Sequence, residues 1–414
     1  MLFFGDPPTP ALSCWARVSE LSMNAALLKA VKEYREQMVA LTEQLVAIPT
    51  ENPPGKCYSE AVRLLRGHLE QLGFADTRVV GDCVVSFVGQ GPSTLYFSGH
   101  YDVVPAQSAE QFQPARRGAN LFGRGTSDMK GGLAAMTYAA KAVRDAQLPL
   151  AGRIGLVFVP DEETAGPRGS RFLMERGELV KNATGMLTPE PTGGVVWNAN
   201  RGAISLRVKI KGQTAHVGRQ REGVNAFEGM LRVTERLWKL KKEVEQRATG
   251  FPISPESARR SILMMGGECQ SGSNFNIVPD VCWFTVDRRI NPEEDLQTEK
   301  QRLLSVLEDM RAAGVNLDVE VLQEGAACGV SEDGPVAKAL ARSIQQITGR
   351  AAEFRMCPGL LEIRFYAQRG IPAFAYGPGL LTVSHGPNEF VPIDRMVECA
   401  SIYALTAAEL LATE

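Results

Sequence analysis

The sequence predicts an α/β protein. It comprises a discontinuous domain with a mixed sheet flanked by helices, and an inserted α+β unit with an antiparallel sheet. Three observations predict this. Apolar strand-like runs alternate with helical periodicities through the first half of the chain. Near residue 200 the texture changes to alternating strands and two long helices. Beyond about residue 318 the first texture returns. At 414 residues the chain accommodates two or three domains, taking about 150 residues for each. The expected divisions are an extension over 1–22, a catalytic domain over 23–200 and 318–414, and an insert over 201–317.

Residues 1–22 are proline-rich and carry neither a basic leader nor a sustained apolar stretch, so they read as a disordered extension and not a secretory signal. From Asn24 to Ile48, Leu27, Leu28, Val31, Tyr34, Met38, Leu41 and Leu45 recur at helical spacing, and Pro49 ends the run. A second helix is expected over 60–72. Strands at VVSFVG and STLYFSG, a helix over 131–146, the strand RIGLVFVP, a helix over 169–175 and the strand GMLTPE follow. In the insert, RGAISLRVKIKG, RRSILMMGG, VCWFTVDRRI and residues 317–322 read as strands, with helices over 225–246 and 292–313. The returning segment offers a helix over 335–348, the strand IPAFAYG and a last helix over 393–411.

Hydrophobic content of 44%, charged content of 22% and a formal net charge of −2 call for neither nucleic acid nor membrane as a partner. No window approaches the roughly 20 apolar residues needed to cross a bilayer. The 8 cysteines form no CxxC pair, which suits a reducing cytoplasm. The expected partner is a small molecule.

Chemistry concentrates where the strands end. SGHYDVVP places His100 at the carboxyl end of a strand, with Asp102 two residues on and facing the same way to orient the imidazole. Asp128 in GRGTSDMKGG, Glu162 and Glu163 in FVPDEETAG, Glu190 in LTPEPT and His385 in SHGPNE lie near other apolar runs. Strand ends are where open α/β sheets build sites. Imidazole and carboxylate suit borderline divalent ions, and two such ions about 3.5–4 Å apart usually share a carboxylate. Asp128 is the natural bridge, because Gly125, Gly131 and Gly132 permit close backbone approach.

Each group alone reads as a loop residue or cap. Their joint occurrence at strand ends reverses that weighting. Adjacent Glu162 and Glu163 would repel unless their roles differ, one binding and one acting as general base. Alternatively, Asp161, Glu162 and Glu163 form the acidic first turn of a helix. His216, inside the insert, fits a donor to a developing oxyanion better than a ligand. His68 reads as an ordinary helix-surface residue. GRGTSDMKGG lacks the lysine-hydroxyl ending of a phosphate loop.

Together the segments SGHYDVVP, GRGTSDMKGG, PDEETAG, TPEPT, GQTAHVG, NFNIVPD with VDRR, and SHGPNEFVPI resemble the acetylornithine deacetylase, succinyl-diaminopimelate desuccinylase and carboxypeptidase G family of co-catalytic zinc amidohydrolases. The match extends from about Met23 onward. The resemblance implies that His100, Asp128 and Glu190 hold one metal and Asp128, Glu163 and His385 the other, with Asp102 supporting His100 and Glu162 as base. It also implies that the insert is a lid and homodimer interface, with His216 reaching the neighbouring subunit's site. Asn276 and Arg289 match positions that hold a substrate carboxylate or stabilise the reacting carbonyl, and Gly359 matches the substrate loop. Arg288 competes with Arg289, although alternation along a strand sends it to the other face.

One departure bears on substrate. Where many relatives carry glycine, threonine and aspartate before an arginine, this chain reads CPGLLEIRFY, with Leu360, Leu361 and Glu362 ahead of Arg364. The resulting expectation is a cytoplasmic enzyme with two divalent ions, zinc first and cobalt or manganese tolerated, that cleaves the amide of an N-acyl amino acid or related small carboxylate. A dipeptidase or carboxypeptidase on the same fold is the alternative within enzymes, and a non-catalytic metal-binding scaffold the alternative outside them.

Overall fold

The computed structural model describes residues 14–179 and 183–413. In chain order the first elements are α1 (Cys14–Glu33), α2 (Arg35–Val46), α3 (Tyr58–Gln71), β1 (Asp76–Val80), β2 (Cys83–Gly89), β3 (Ser93–His100), β4 (Ala115–Arg117), β5 (Asn120–Phe122), α4 (Gly131–Asp145), β6 (Gly152–Val159), α5 (Ser170–Glu175), β7 (Ala183–Thr188) and β8 (Val196–Asn200). There follow β9 (Gly202–Lys211), α6 (Ala226–Val244), β10 (Ile262–Ser271), β11 (Val281–Ile290), α7 (Leu296–Ala312) and β12 (Leu317–Gly325). The chain ends with β13 (Cys328–Gly329), α8 (Pro335–Thr348), β14 (Phe354–Cys357), α9 (Ile363–Ala367), β15 (Ala373–Ala375), β16 (Phe390–Pro392) and α10 (Ile393–Leu411).

The larger sheet has nine strands among the described residues, in the order β1-β2-β6-β3-β7-β15-β8-β13, with β14 also on β8. It is mixed: β6, β3, β7 and β15 are mutually parallel, while β1 and β2 are antiparallel additions at one edge. Strand residues alternate between two cores, as a period of two requires. Val84, Leu95, Phe97, Ile154 and Phe158 face α1–α4, α8 and α10. Val85, Tyr96, Val157 and Val159 face α5 and α9. Burial on both faces explains the nearly unbroken apolar runs of β3 and β6.

The smaller sheet is antiparallel, in the order β10-β11-β9-β12. Ile204, Leu206, Val208 and Ile210 of β9 bury one face against Met230, Val233 and Leu237 of α6 and Leu303 and Leu307 of α7. The opposite face carries ion pairs such as Arg207–Glu320. An alternating strand pattern with two amphipathic helices folds in this way because only one face can be covered.

Several expectations change. Residues 1–13 of the expected extension lie outside the described residues, and 14–22 fall within helix α1. The single helix over 24–48 is two, broken at Tyr34, whose hydroxyl donates to Asp145 Oδ2 at 2.6 Å. The boundary at 317 falls too early: β12 continues pairing with β9 until Gly325 meets Ala203. Its length is set by that partner strand, which local sequence does not encode. Strands β1, β4, β5, β8, β13, β14 and β16 were not foreseen, being short or polar segments that become strands through pairing.

Candidate metal centre

The parallel register of β6, β3 and β7 brings three carboxyl ends side by side. His100 ends β3, Glu162 and Glu163 follow β6, and Glu190 lies two residues beyond β7. Asp128 comes from the turn entering α4, and His385 from the segment between β15 and β16. Glycine allows this convergence. Gly125 has φ +83°, and a Cβ on Gly132 would lie 2.5 Å from the Pro189 carbonyl oxygen, so α4 starts directly against the strand end bearing Glu190.

Asp128 lies between two imidazoles, with Oδ1 3.3 Å from His100 Nε2 and Oδ2 3.3 Å from His385 Nε2. His385 Nε2 is also 3.3 Å from Glu163 Oε2, and Glu162 Oε2 is 4.0 Å from His100 Nε2. Two groups of candidate ligand atoms result, His100–Asp128–Glu190 and Asp128–Glu163–His385, each with its atoms within 4.8 Å of one another. All five expected ligands are thus brought together, and Asp128 is common to both groups.

The arrangement fits divalent cations. His100 Nε2, Asp128 Oδ1 and Glu190 Oε1 are buried without hydrogen-bond partners, a state that costs about 1–3 kcal/mol for each group left unsatisfied. Charge points the same way. Burial raises Glu190 well above the ordinary carboxyl range. Burial, with Glu163 adding to it against the pull of His100, pushes Glu162 up to about 8. Pairing with Asp128 and then Glu163 carries His385 up to about 10. Although burial opposes its ionisation, Asp128 stays below the ordinary range because His100 and His385 pair with it. Four carboxyls facing two imidazoles lack positive charge, which a bound cation supplies.

Asp102 does more than expected. His100 Nδ1 lies 3.0 Å from the main-chain oxygen of Asp102 and 3.4 Å from its Oδ1. The carboxylate also accepts from Asn52 Nδ2 at 2.9 Å and from the main-chain nitrogens of Glu162 and Glu163 at 3.3 and 3.2 Å. It therefore orients the Glu162–Glu163 turn. The acidic-first-turn alternative is set aside, since α5 does not begin until Ser170.

Sequence reasoning missed Arg124 and Glu389, which are only 1% and 2% exposed. Glu389 Oε2 accepts from Arg124 Nη1 at 2.6 Å, and Oε1 accepts from the main-chain nitrogens of Ser127 and Asp128 at 3.0 and 3.1 Å. Arg124 Nη2 donates to the main-chain oxygen of His385 at 3.1 Å. The pair ties the Asp128 turn to the His385 segment. Its signal was a carboxylate immediately before the apolar pair Phe390-Val391, within a segment already singled out for its histidine.

A cavity of about 320 Å³ opens onto Asp128, Glu162, Glu163, Glu190 and His385, and Arg289 and Gly359 line it too. Arg288 is buried and paired with Glu294 at 2.5 Å and Glu299 at 2.7 Å, so strand alternation separates the two arginines. His216 and Asn276 do not reach this cavity within the chain. Val217 N donates to Asn276 O at 2.9 Å, so the two segments adjoin each other at the end of the smaller sheet where Lys211 pairs with Val281. Arg289 sits at the other end, opposite Ala203. Eight residues of strand at about 3.3 Å each separate these ends by roughly 26 Å. His216 Nδ1 accepts from Gly218 N at 3.1 Å, and His68 Nε2 lies 3.2 Å from the Tyr138 hydroxyl.

Residues 96–409 match Peptidase family M20/M25/M40. The chain belongs to this family. Among relatives, it is 28% identical over 398 residues to a succinyl-diaminopimelate desuccinylase of Methylibium petroleiphilum, covering 90% of this chain and 98% of that protein. It is 25% identical over 415 residues to an N-formyl-4-amino-5-aminomethyl-2-methylpyrimidine deformylase of Halalkalibacterium halodurans, covering 92% of this chain and 95% of the other. The fold is shared with an M20 family metallo-carboxypeptidase of Sulfolobus solfataricus, at TM-score 0.73 and 18% identity over 90% of this chain and 99% of that one. Membership of M20/M25/M40 makes the chain a hydrolase of a metal-binding family. No helix among the described residues is long and apolar enough to cross a membrane.

Proposed function

We propose that the protein is a dinuclear metal-dependent hydrolase that cleaves the amide bond of an N-acyl amino acid or a related small carboxylate. One observation carries this reading: two three-residue ligand groups share Asp128 and open onto the cavity that also holds Glu162 and Arg289. His100, Asp128 and Glu190 would hold one cation, and Asp128, Glu163 and His385 the other. Zinc is the first candidate, and cobalt or manganese suits the same donors. When bound, the cations supply Lewis-acid polarisation of the scissile carbonyl and offset charge on its oxygen.

The chain's own groups do the rest. Glu162 takes a proton from the attacking water and returns it to the leaving nitrogen. Asp102 holds the Glu162–Glu163 turn at the distance this transfer needs. Arg289 pairs side-on with Asp287 through Nε and Nη2, leaving Nη1 to receive a substrate carboxylate. Gly359 lets the substrate approach the backbone. His216 and Asn276 serve the cavity of a second copy, as donors to the developing oxyanion. Exposed apolar side chains support that homodimer: Phe227, Leu231 and Trp238 on one flank of α6, and Ile262 and Met264 on edge strand β10. We place the enzyme in the cytoplasm, consistent with the free thiols of seven cysteines.

A dipeptide or C-terminal peptide bond would undergo the same attack, so the test covers both. Protein loaded with zinc or cobalt is assayed for amine release across N-acyl amino acids and dipeptides. Turnover of N-acyl amino acids supports the proposal. Preference for dipeptides would move it to the peptidase reading, and no turnover with both cation sites filled would favour a scaffold.

A further inference from the structure

The catalytic cavity has two unlike walls. One is the carboxylate and imidazole cluster. The other, formed by Trp197, Pro358, Leu360, Leu361 and Leu381, presents indole, ring and aliphatic carbon. Trp197 and Leu361 are 6% and 4% exposed, so they are built into the fold, and Leu361 belongs to the core beneath the sheet. Leu360 packs towards the backbone of Gly325, where a Cβ would meet its Cδ2 at 2.9 Å. The apolar wall is thus continuous from that core to the junction with the smaller sheet.

Cations are scarce on this wall. Among the described residues Arg289 is the only arginine or lysine lining the cavity, and Asp287 already neutralises much of its charge. Arg364, four residues beyond Leu360, does not line it: Nη1 donates to the main-chain oxygen of Leu361 at 2.6 Å and the guanidinium stacks 4.2 Å from the Phe365 ring. Glu362 is likewise turned away, its Oε2 accepting from Ser170 at 2.6 Å. One substrate carboxylate can be received at Arg289. A second, on an acidic acyl group, would face leucine and indole and lose hydration with no cation of this wall in return, the Gln323 amide being the uncharged donor at hand.

Resting on the hydrolase reading above, we propose that the substrate carries a single carboxylate and presents an apolar acyl group, branched alkyl or aryl, to the Trp197–Leu361 wall. Acidic acyl groups are rejected for want of a counter-charge, and very small ones gain too little contact.

The test compares kcat/KM of the zinc-loaded enzyme for N-isovaleryl, N-phenylacetyl, N-acetyl and N-succinyl derivatives of one amino acid. The two apolar acyl groups should exceed the others by about tenfold or more, since one methylene in an apolar pocket is worth roughly 10-fold upwards. Leu360→Ala should shrink that ratio, and Leu381→Lys, at a side chain 46% exposed, should raise the N-succinyl value relative to N-phenylacetyl. Equal rates, or a preference for N-succinyl in active enzyme, would overturn the inference and leave the hydrolase reading intact. Absence of turnover on every member would instead count against the hydrolase reading. The wall is then judged by calorimetry of the free acids, where phenylacetate should bind more tightly than succinate and the reverse order would sink the proposal.

Discussion

Glu389→Gln isolates the contact that joins the two halves of the metal centre. The substitution preserves volume, so no cavity accompanies it. In the native chain the carboxylate receives Arg124 on one oxygen and two main-chain N–H groups on the other. A glutamine can keep its oxygen on Ser127 and Asp128 only by turning its NH₂ donors towards the guanidinium. In the opposite orientation the same donors oppose the two N–H groups. Either way Arg124, 1% exposed, is left as a buried charge without its carboxylate, a change of about 3–5 kcal/mol. Urea unfolding of chelator-treated protein measures this apart from bound metal. Because the pair also holds the Asp128 turn and the His385 main chain, zinc affinity read by chelator competition should fall about 10- to 100-fold, the usual scale for a group supporting metal ligands. Destabilisation below about 1 kcal/mol together with unchanged zinc affinity would refute the assignment of Arg124 and Glu389 as the tie between these segments.

Glu162→Gln should lower turnover by about 100-fold or more with metal content by elemental analysis near that of the parent, and undiminished turnover would remove Glu162 as the base. Gly132→Ala should destabilise the protein by about 1–3 kcal/mol through overpacking, because its Cβ would meet the Pro189 carbonyl at 2.5 Å; thermal unfolding and metal content should fall together. The adjacent arginines should separate cleanly. Arg288→Met leaves Glu294 and Glu299 facing a lost charge and should cost about 3–5 kcal/mol in urea unfolding, whereas Arg289→Met should leave stability nearly unchanged and raise KM. If the proposed homodimer forms, light scattering of the parent should give twice the chain mass, and Leu231→Glu combined with Trp238→Glu, both at exposed positions, should give a monomer with reduced turnover; a monomeric parent would remove the dimer, and a persistent dimer in the variant would place the interface elsewhere.

Much of the site was legible because its chemistry restricts residue type. Imidazole and carboxylate at the ends of apolar runs are informative when a parallel sheet gathers those ends, and His100, Glu163 and Glu190 meet for that reason. Alternation along VDRR correctly sent Arg288 and Arg289 to opposite faces, since strand periodicity is local. Other features depended on distant partners. The Asp102 carboxylate was expected beside His100 and lies 3.4 Å from its Nδ1, but its second task, accepting from the main-chain N–H groups of Glu162 and Glu163, depends on a turn sixty residues away. Glu389 looked like the tail of a histidine motif until the fold set Arg124 and the Asp128 turn against it. His216 was read as apart from the ligands, and only the length of β9 and β11 shows how far: it and Asn276 stand at the opposite end of the smaller sheet from Arg289.

By itself the sequence determined the longer helices and strands, the two sheet types and the donor atoms available, because periodicity and side-chain chemistry are properties of a few consecutive residues. Only the tertiary structure decided that Glu389 and Arg124 would tie the Asp128 turn to the His385 segment, that β12 would run to Gly325, and that Trp197 would share a wall with Leu361. These are distances between residues far apart in the chain, and they follow from strand register and buried packing summed over the whole molecule.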